Sequence, residues 1–143
     1  MENIIKIDDR LSVQGQLTPE QVQQLADTEF KSVLNLRSAN EDGFLETEQQ
    51  LVETAGLTYL HTPLTPASLD VDRIEQIVRE LDRLDKPTLI HCKSGMRAAF
   101  IALLYDADRQ KMTVDRVLET GKQLGFDFAA NPQFKQAIES YLS

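Results

Sequence analysis

Short extended apolar runs alternate with helical stripes along this chain. Ile4 to Ile7 and Leu11 to Val13 read as two strands parted by the polar cluster Asp8-Asp9-Arg10, a hairpin at one edge of a sheet. Thr18-Pro19-Glu20-Gln21 opens a helix, with a hydroxyl cap, proline at the first helical position and glutamine three residues after the cap. Val22, Leu25 and Ala26 give that helix one apolar stripe. Lys31 to Leu36 is a strand, Ser38 to Gly43 a polar loop, and Phe44 to Ala55 a weaker helical pattern closed by Gly56. Leu57 to His61 is the next strand; the two prolines of Thr62-Pro63-Leu64-Thr65-Pro66 exclude its continuation as a central one. The clearest helix places Ile74, Ile77, Val78, Leu81 and Leu84 on one face and stops at Asp85-Lys86-Pro87. Thr88-Leu89-Ile90 then reads as the central strand, and Met96, Ala99, Phe100, Leu103, Leu104 and Ala107 keep helical spacing behind it. Val114, Val117, Leu118 and Gly121 predict a further helix capped by Thr113. Phe134, Ala137, Ile138, Tyr141 and Leu142 predict a last one starting near Asn131-Pro132.

Strands alternating with helices, then helices alone, predict an α/β fold with a mostly parallel sheet flanked by helices. At 143 residues the expectation is one domain, 1–143, able to bury its core without disulfides or metal. In such sheets ligands bind beyond the carboxyl ends of the strands. That places the loop after the central strand at the active site, and Arg37 on the same rim, as an anion-facing group or a structural charge.

The chemistry is concentrated in His91-Cys92-Lys93-Ser94-Gly95-Met96-Arg97-Ala98. The first turn of a helix has amide N–H groups without internal partners and partial positive charge, so an anion is stabilised in front of it. A cysteine in such a place has its pKa lowered from about 8.5 into the range ~3.5–7.5, and the thiolate is the nucleophile. Gly95 permits a tight turn with N–H groups pointing inward, and Arg97 offers a planar fork for two oxygens of an oxyanion. Lys93, Ser94, Gly95, Met96 and Ala98 complete the anion-binding loop around these two catalytic candidates. An inert buried cysteine is the alternative for Cys92, and a core histidine that for His91, which otherwise orients the loop by hydrogen bonding.

Charge and cysteine usage narrow the setting. A formal charge of −8 and a pI near 4.7 disfavour nucleic acid and anionic membrane surfaces as partners. A single cysteine allows no intrachain disulfide, and no apolar run is long enough for a signal core or membrane span, so the expected compartment is the cytoplasm. No cofactor or metal is called for.

The loop from His91 to Arg97 resembles those of cysteine-dependent phosphatases and rhodaneses. Together with Leu11-Ser12-Val13-Gln14-Gly15-Gln16, Pro19-Glu20 and Val33-Leu34-Asn35-Leu36-Arg37, it resembles the bacterial beta-lactamase-hydrolase-like, phosphatase-like domain family. The resemblance runs roughly from Ile4 to Leu104. It implies a dual-specificity-phosphatase-like fold with Cys92 as nucleophile and Arg97 on the oxyanion. Both phosphatase-like and sulfur-transferring members are attributed to this family.

Three departures from the phosphatase pattern bear on the reaction. Four residues, not five, separate Cys92 from Arg97, a rhodanese-like length; Ala98 stands where phosphatases carry a hydroxyl; and the loop around Thr65 holds no aspartate to protonate a leaving oxygen. The nearest carboxylates, Asp70 and Asp72, lie at a helix start, where complementing the helix dipole is their simplest role. Loss of a general acid typically removes about 10²–10⁴ in rate. The sequence therefore favours sulfur transfer through a Cys92 persulfide, from a small sulfane-sulfur donor to an external thiol acceptor, because no second cysteine exists to resolve it. The alternatives are hydrolysis of phosphate monoesters through a phosphocysteine, with a small oxyanion as ligand, and a non-catalytic anion or persulfide sensor.

Overall fold

The computed structural model describes residues 3–143. Its one sheet contains β1 (Ile5–Lys6), β2 (Leu11–Gln14), β3 (Ser32–Asn35), β4 (Thr58–His61) and β5 (Thr88–His91) in the order β1-β2-β5-β3-β4. Only β1 and β2 pair antiparallel, as the predicted edge hairpin. The predicted central strand, β5, lies between β2 and β3 and is parallel to both, with His91 opposite Gln14 on one side and Asn35 on the other. All three parallel neighbours thus end at one rim, and Cys92 is the first residue past it.

Side chains alternate between sheet faces, and two hydrophobic clusters follow. Val33 and Leu89 turn towards α1 (Pro19–Gln24) and α2 (Glu48–Thr54), packing with Val22, Leu25 and Val52. Leu34 and Ile90 turn to the opposite, larger cluster, built by α3 (Val71–Arg83), α4 (Met96–Gln110), α5 (Val114–Gln123) and α6 (Pro132–Leu142). Residues 98–107 of α4 are all buried, because this helix has neighbours on every side rather than one. A helix gripped along that length fixes the donors at its first turn. The architecture is therefore α/β, with a mostly parallel sheet flanked by helices. No helix among the described residues is long and apolar enough to cross a membrane.

The caps follow local chemistry. Thr18 and Gln21 form the capping box, and Asp70, Thr113 and Asn131 each accept from a backbone N–H three residues on. Two elements differ from the sequence pattern. The first helix stops at Gln24 and tightens into a single 3₁₀ turn, Leu25–Asp27, which leaves Ala26 exposed and off the stripe. α2 begins at Glu48 rather than Phe44, because Arg37 captures the backbone carbonyls of Asp42 and Gly43 and holds that stretch as a loop.

Within α4, Asp106 is almost wholly buried. Burial, and then hydrogen bonding to and repulsion from Asp8, push its carboxyl up to about 7. A carboxyl raised this way binds its proton more tightly folded than unfolded, so stability falls as pH rises from about 4 to 7. Asp106→Asn is expected to flatten that limb, making the variant more stable than wild type at pH 8 and closest to it below pH ~4; denaturant titrations across this range check it.

Candidate active site

Cys92 leaves β5 where the neighbouring strands end. Its N–H donates to the Gln14 carbonyl at 3.3 Å, the Leu36 N–H to the His91 carbonyl at 3.0 Å, and the Gln16 N–H to the Lys93 carbonyl at 3.1 Å. The loop is thus held from both flanks. Gly15 is required for this: a Cβ there would lie 2.7 Å from the Lys93 carbonyl oxygen. Gly95 caps α4 at φ +96°, a left-handed conformation that glycine adopts without strain. That turn aims the Gly95 N–H at Cys92 Sγ, 3.1 Å away. A backbone donor thus points at the sulfur, in front of the first-turn amides of α4.

Arg97 reaches the same place from the first turn of α4. Its Nη1 and Nη2 donate to the two carboxylate oxygens of Glu41 at 2.8 and 2.9 Å. Nη1 also donates to the Leu64 carbonyl at 3.0 Å. This leaves Nε–H and one Nη2–H without an oxygen acceptor among the described residues, with the Cys92 thiol as the remaining side-chain partner nearby, a two-pronged edge suited to an oxyanion. The Glu41 hydrogen bond, and to a lesser degree the charge of the nearby Cys92, raise the Arg97 pKa further.

A second arginine shares that carboxylate. Arg37 is 1% exposed; its Nε donates to Glu41 at 3.2 Å and its Nη1 to Gln16 Oε1 at 2.6 Å. With the Asp42 and Gly43 carbonyls as further acceptors, Arg37 has no edge left for a ligand and acts as a structural clamp. From Gln16 the chain of contacts continues: Gln16 Nε2 donates to Glu48 Oε1 at 3.1 Å, and Glu48 Oε2 lies 2.5 Å from His91 Nε2. The Glu48 and His91 side chains are fully buried. Cys92 and Arg97 are therefore joined by one continuous polar path, His91–Glu48–Gln16–Arg37–Glu41.

Beside this loop lies a pocket of about 450 Å³ whose lining includes Ser94, Met96 and Arg97 from the loop and α4, and Leu64, Thr65 and Pro66 from the segment after β4. Asn131, Gln133 and Phe134 complete it; Gln133 Nε2 donates to the Pro66 carbonyl at 2.7 Å, tying α6 to the rim. Cys92 is fully buried, packs within the larger core cluster and is not among the residues that line this pocket.

Several sequence candidates do not meet this pocket. Lys93 is exposed and lines a separate concavity behind the loop with Gln14, Gly15 and Phe126. Asp70 is the cap of α3, its Oδ1 accepting from Arg73 N–H at 2.8 Å, and does not line the pocket. Ala98 is buried in the core behind the loop. Thr65 does line the pocket, with its hydroxyl 3.0 Å from Ser68 Oγ. Glu41, Glu48 and Gln16 were not anticipated from sequence. Glu48 had a signal: it is a charge on the helical stripe that contains Val52 and Ala55. Among the described residues no cluster of three or more His, Cys, Asp or Glu is placed to hold a metal.

The model of the phosphatase-like domain of beta-lactamase hydrolase-like protein matches residues 3–108. The chain belongs to that family. A beta-lactamase hydrolase-like protein of Xylella fastidiosa (strain Temecula1) is 30% identical over 142 residues, 96% of this chain but 33% of its own length; the chain thus spans about a third of this curated relative. Among solved structures, the fold of this family member matches nma1982 of Neisseria meningitidis Z2491, itself a phosphatase by inference, at TM-score 0.80 with 22% identity over 99% of both chains. It also matches the catalytic domain of the PP-IP phosphatase SIW14 of S. cerevisiae, at TM-score 0.78 and 17% identity, covering 98% of this chain and 85% of that one. The fold is that of the cysteine phosphatases.

The Arg97 hydrogen bond holds the Glu41 carboxyl well below its usual range, at about 2. A lowered carboxyl contributes stability that is fully present above its unfolded value, near 4.5, and is lost as pH falls through about 2. Glu41→Gln is expected to be less stable than wild type at pH 7, with the gap closing between pH 4.5 and 2; urea midpoints at stepped pH measure it.

Proposed function

We propose that this family member is a cysteine-dependent phosphatase that hydrolyses phosphate monoesters through a phosphocysteine. The reading rests on one arrangement: Arg97, held by Glu41 on one edge, turns its other donors towards a sulfur that already accepts the Gly95 N–H. In the first step the Cys92 thiolate attacks phosphorus, the S–P bond forms, and the P–O bond to the alcohol breaks with its electron pair leaving on oxygen. In the second, water attacks phosphorus, the P–S bond breaks, the thiolate is restored, and phosphate leaves with the water's oxygen. Arg97 and the loop amides stabilise the charge on the equatorial oxygens in both. Such chemistry needs a reduced thiol and suits a reducing compartment.

Family and fold lend support to hydrolysis, which the sequence ranked second. Sulfur transfer stays as the second reading for a specific reason: Ala98 provides no hydroxyl to help the thiolate leave phosphorus, and a sulfane-sulfur donor releases a stable anion without a proton. In that reaction Cys92 would take one sulfur and pass it to an external thiol.

Wild type is expected to release phosphate catalytically from an activated ester such as 4-nitrophenyl phosphate, Cys92→Ser to release none, and Arg97→Lys to lose roughly 10²–10³ in kcat/KM. Intact mass after incubation with thiosulfate or a persulfide donor provides the contrast. A Cys92-dependent gain of one sulfur, reversed by a thiol with turnover and without phosphatase activity, overturns the proposal in favour of sulfur transfer.

A further inference from the structure

We propose that Arg73 is a positioning residue of this site: by holding the Pro63 carbonyl it places the next carbonyl along the chain, that of Leu64, which together with Glu41 orients Arg97. The effect on turnover rests on the phosphatase reading; the effect on Arg97 does not.

The stretch from Thr62 to Pro66 leads from β4 into a single 3₁₀ turn. It contains two prolines, which have no N–H to donate to a strand. Thr62 and Leu64 donate to the carbonyls of Asn35 and Leu36, each at 2.9 Å. Its own carbonyls are taken by side chains from three different helices. Pro63 accepts from Arg73 of α3, Leu64 from Arg97 of α4 and Pro66 from Gln133 of α6. The carbonyl that Arg73 grips is thus the immediate neighbour of the one that Arg97 uses.

Arg73 fits its own helix poorly. It stands in the first turn of α3, three residues after the cap Asp70, where the helix dipole favours an anion over a cation. Among the described residues no carboxylate forms an ion pair with it. Its fork is spent on neutral oxygens instead: Nε and Nη2 donate to the Pro63 carbonyl at 3.1 and 2.7 Å, and Nη1 donates to Gln76 Oε1 at 2.9 Å. Two donors from one planar group fix the direction of that carbonyl, and the Leu64 carbonyl follows it. The consequence reaches Arg97 through geometry. Glu41 holds the two Nη atoms of Arg97 at 2.8 and 2.9 Å, a pair of contacts about which the guanidinium can still hinge. The Leu64 carbonyl, 3.0 Å from Nη1, is a third point, and three points set the plane in which the remaining donors turn towards Cys92.

The test is a double-variant cycle on kcat/KM for 4-nitrophenyl phosphate, with the Arg97 Nε–H resonance of the full chain as a readout independent of turnover. Arg73→Met keeps the aliphatic stem and removes the donors. It is expected to move that resonance and to lower kcat/KM by roughly 10–10²-fold, the scale of a 1 Å misplacement. Arg73→Lys, which supplies a point charge without the fork, is expected to recover part of the loss. In an Arg97→Lys background Arg73→Met is expected to cost less than about threefold, because the group it acts through is gone. Unchanged kcat/KM in Arg73→Met, equal losses in both backgrounds, or an unmoved Arg97 resonance in a protein that turns over the ester would overturn the inference while the phosphatase reading stands. A moved resonance in a protein that releases no phosphate would overturn the phosphatase reading and keep the placement of Arg97; no release and an unmoved resonance would overturn both.

Discussion

Two arginines meeting on one carboxylate is the constraint on which the site depends. Arg37 is almost completely buried and Arg97 is half-buried, and Glu41 accepts from both while also taking the Ser38 N–H. A guanidinium removed from water is costly unless its donors are used. Arg37 satisfies that demand by gathering the loop from Ser38 to Gly43 around itself. That loop is what brings Glu41 to Arg97, and Glu41 in turn sets which edge of Arg97 is spent and which is free. The orientation of Arg97 is thus decided in a loop far from it in sequence.

The same logic operates on the other face of the sheet. His91 follows Leu89 by two residues and so shares its face, the one covered by α1 and α2. An imidazole there has to find a partner within a hydrophobic layer, and Glu48 supplies it. The geometry of the Cys92 loop is therefore pinned at its start by a buried imidazole–carboxylate pair and at its end by a carboxylate–arginine pair. Gln16, bonded to both Glu48 and Arg37, couples the two.

What could be read from sequence was what is local. The hairpin, the capping box at Thr18, the central strand and the Cys92–Gly95–Arg97 loop are each written within a few consecutive residues, where period and capping chemistry decide the outcome. Partners 43 and 56 residues apart, His91 with Glu48 and Arg97 with Glu41, depend on strand order and sheet face, which spacing alone does not encode. Arg37 illustrates the division: its place on the rim was legible, but its consumption by Gln16, Glu41 and two carbonyls was not. The predicted boundary of α2 failed for the same reason, since Phe44 and Leu45 have helical spacing but lie beside carbonyls that Arg37 withdraws from the helix.

Asn131, Gln133 and Phe134 line the pocket, yet they lie past residue 108, where the match to the family model stops. The Cys92 loop and this part of the pocket lining accordingly belong to different lengths of chain, and at the rim Gln133 donates a hydrogen bond to the Pro66 carbonyl. The Cys92 loop and one side of the neighbouring pocket are thus separable along the chain: the first lies inside the stretch that the family model matches and the second outside it.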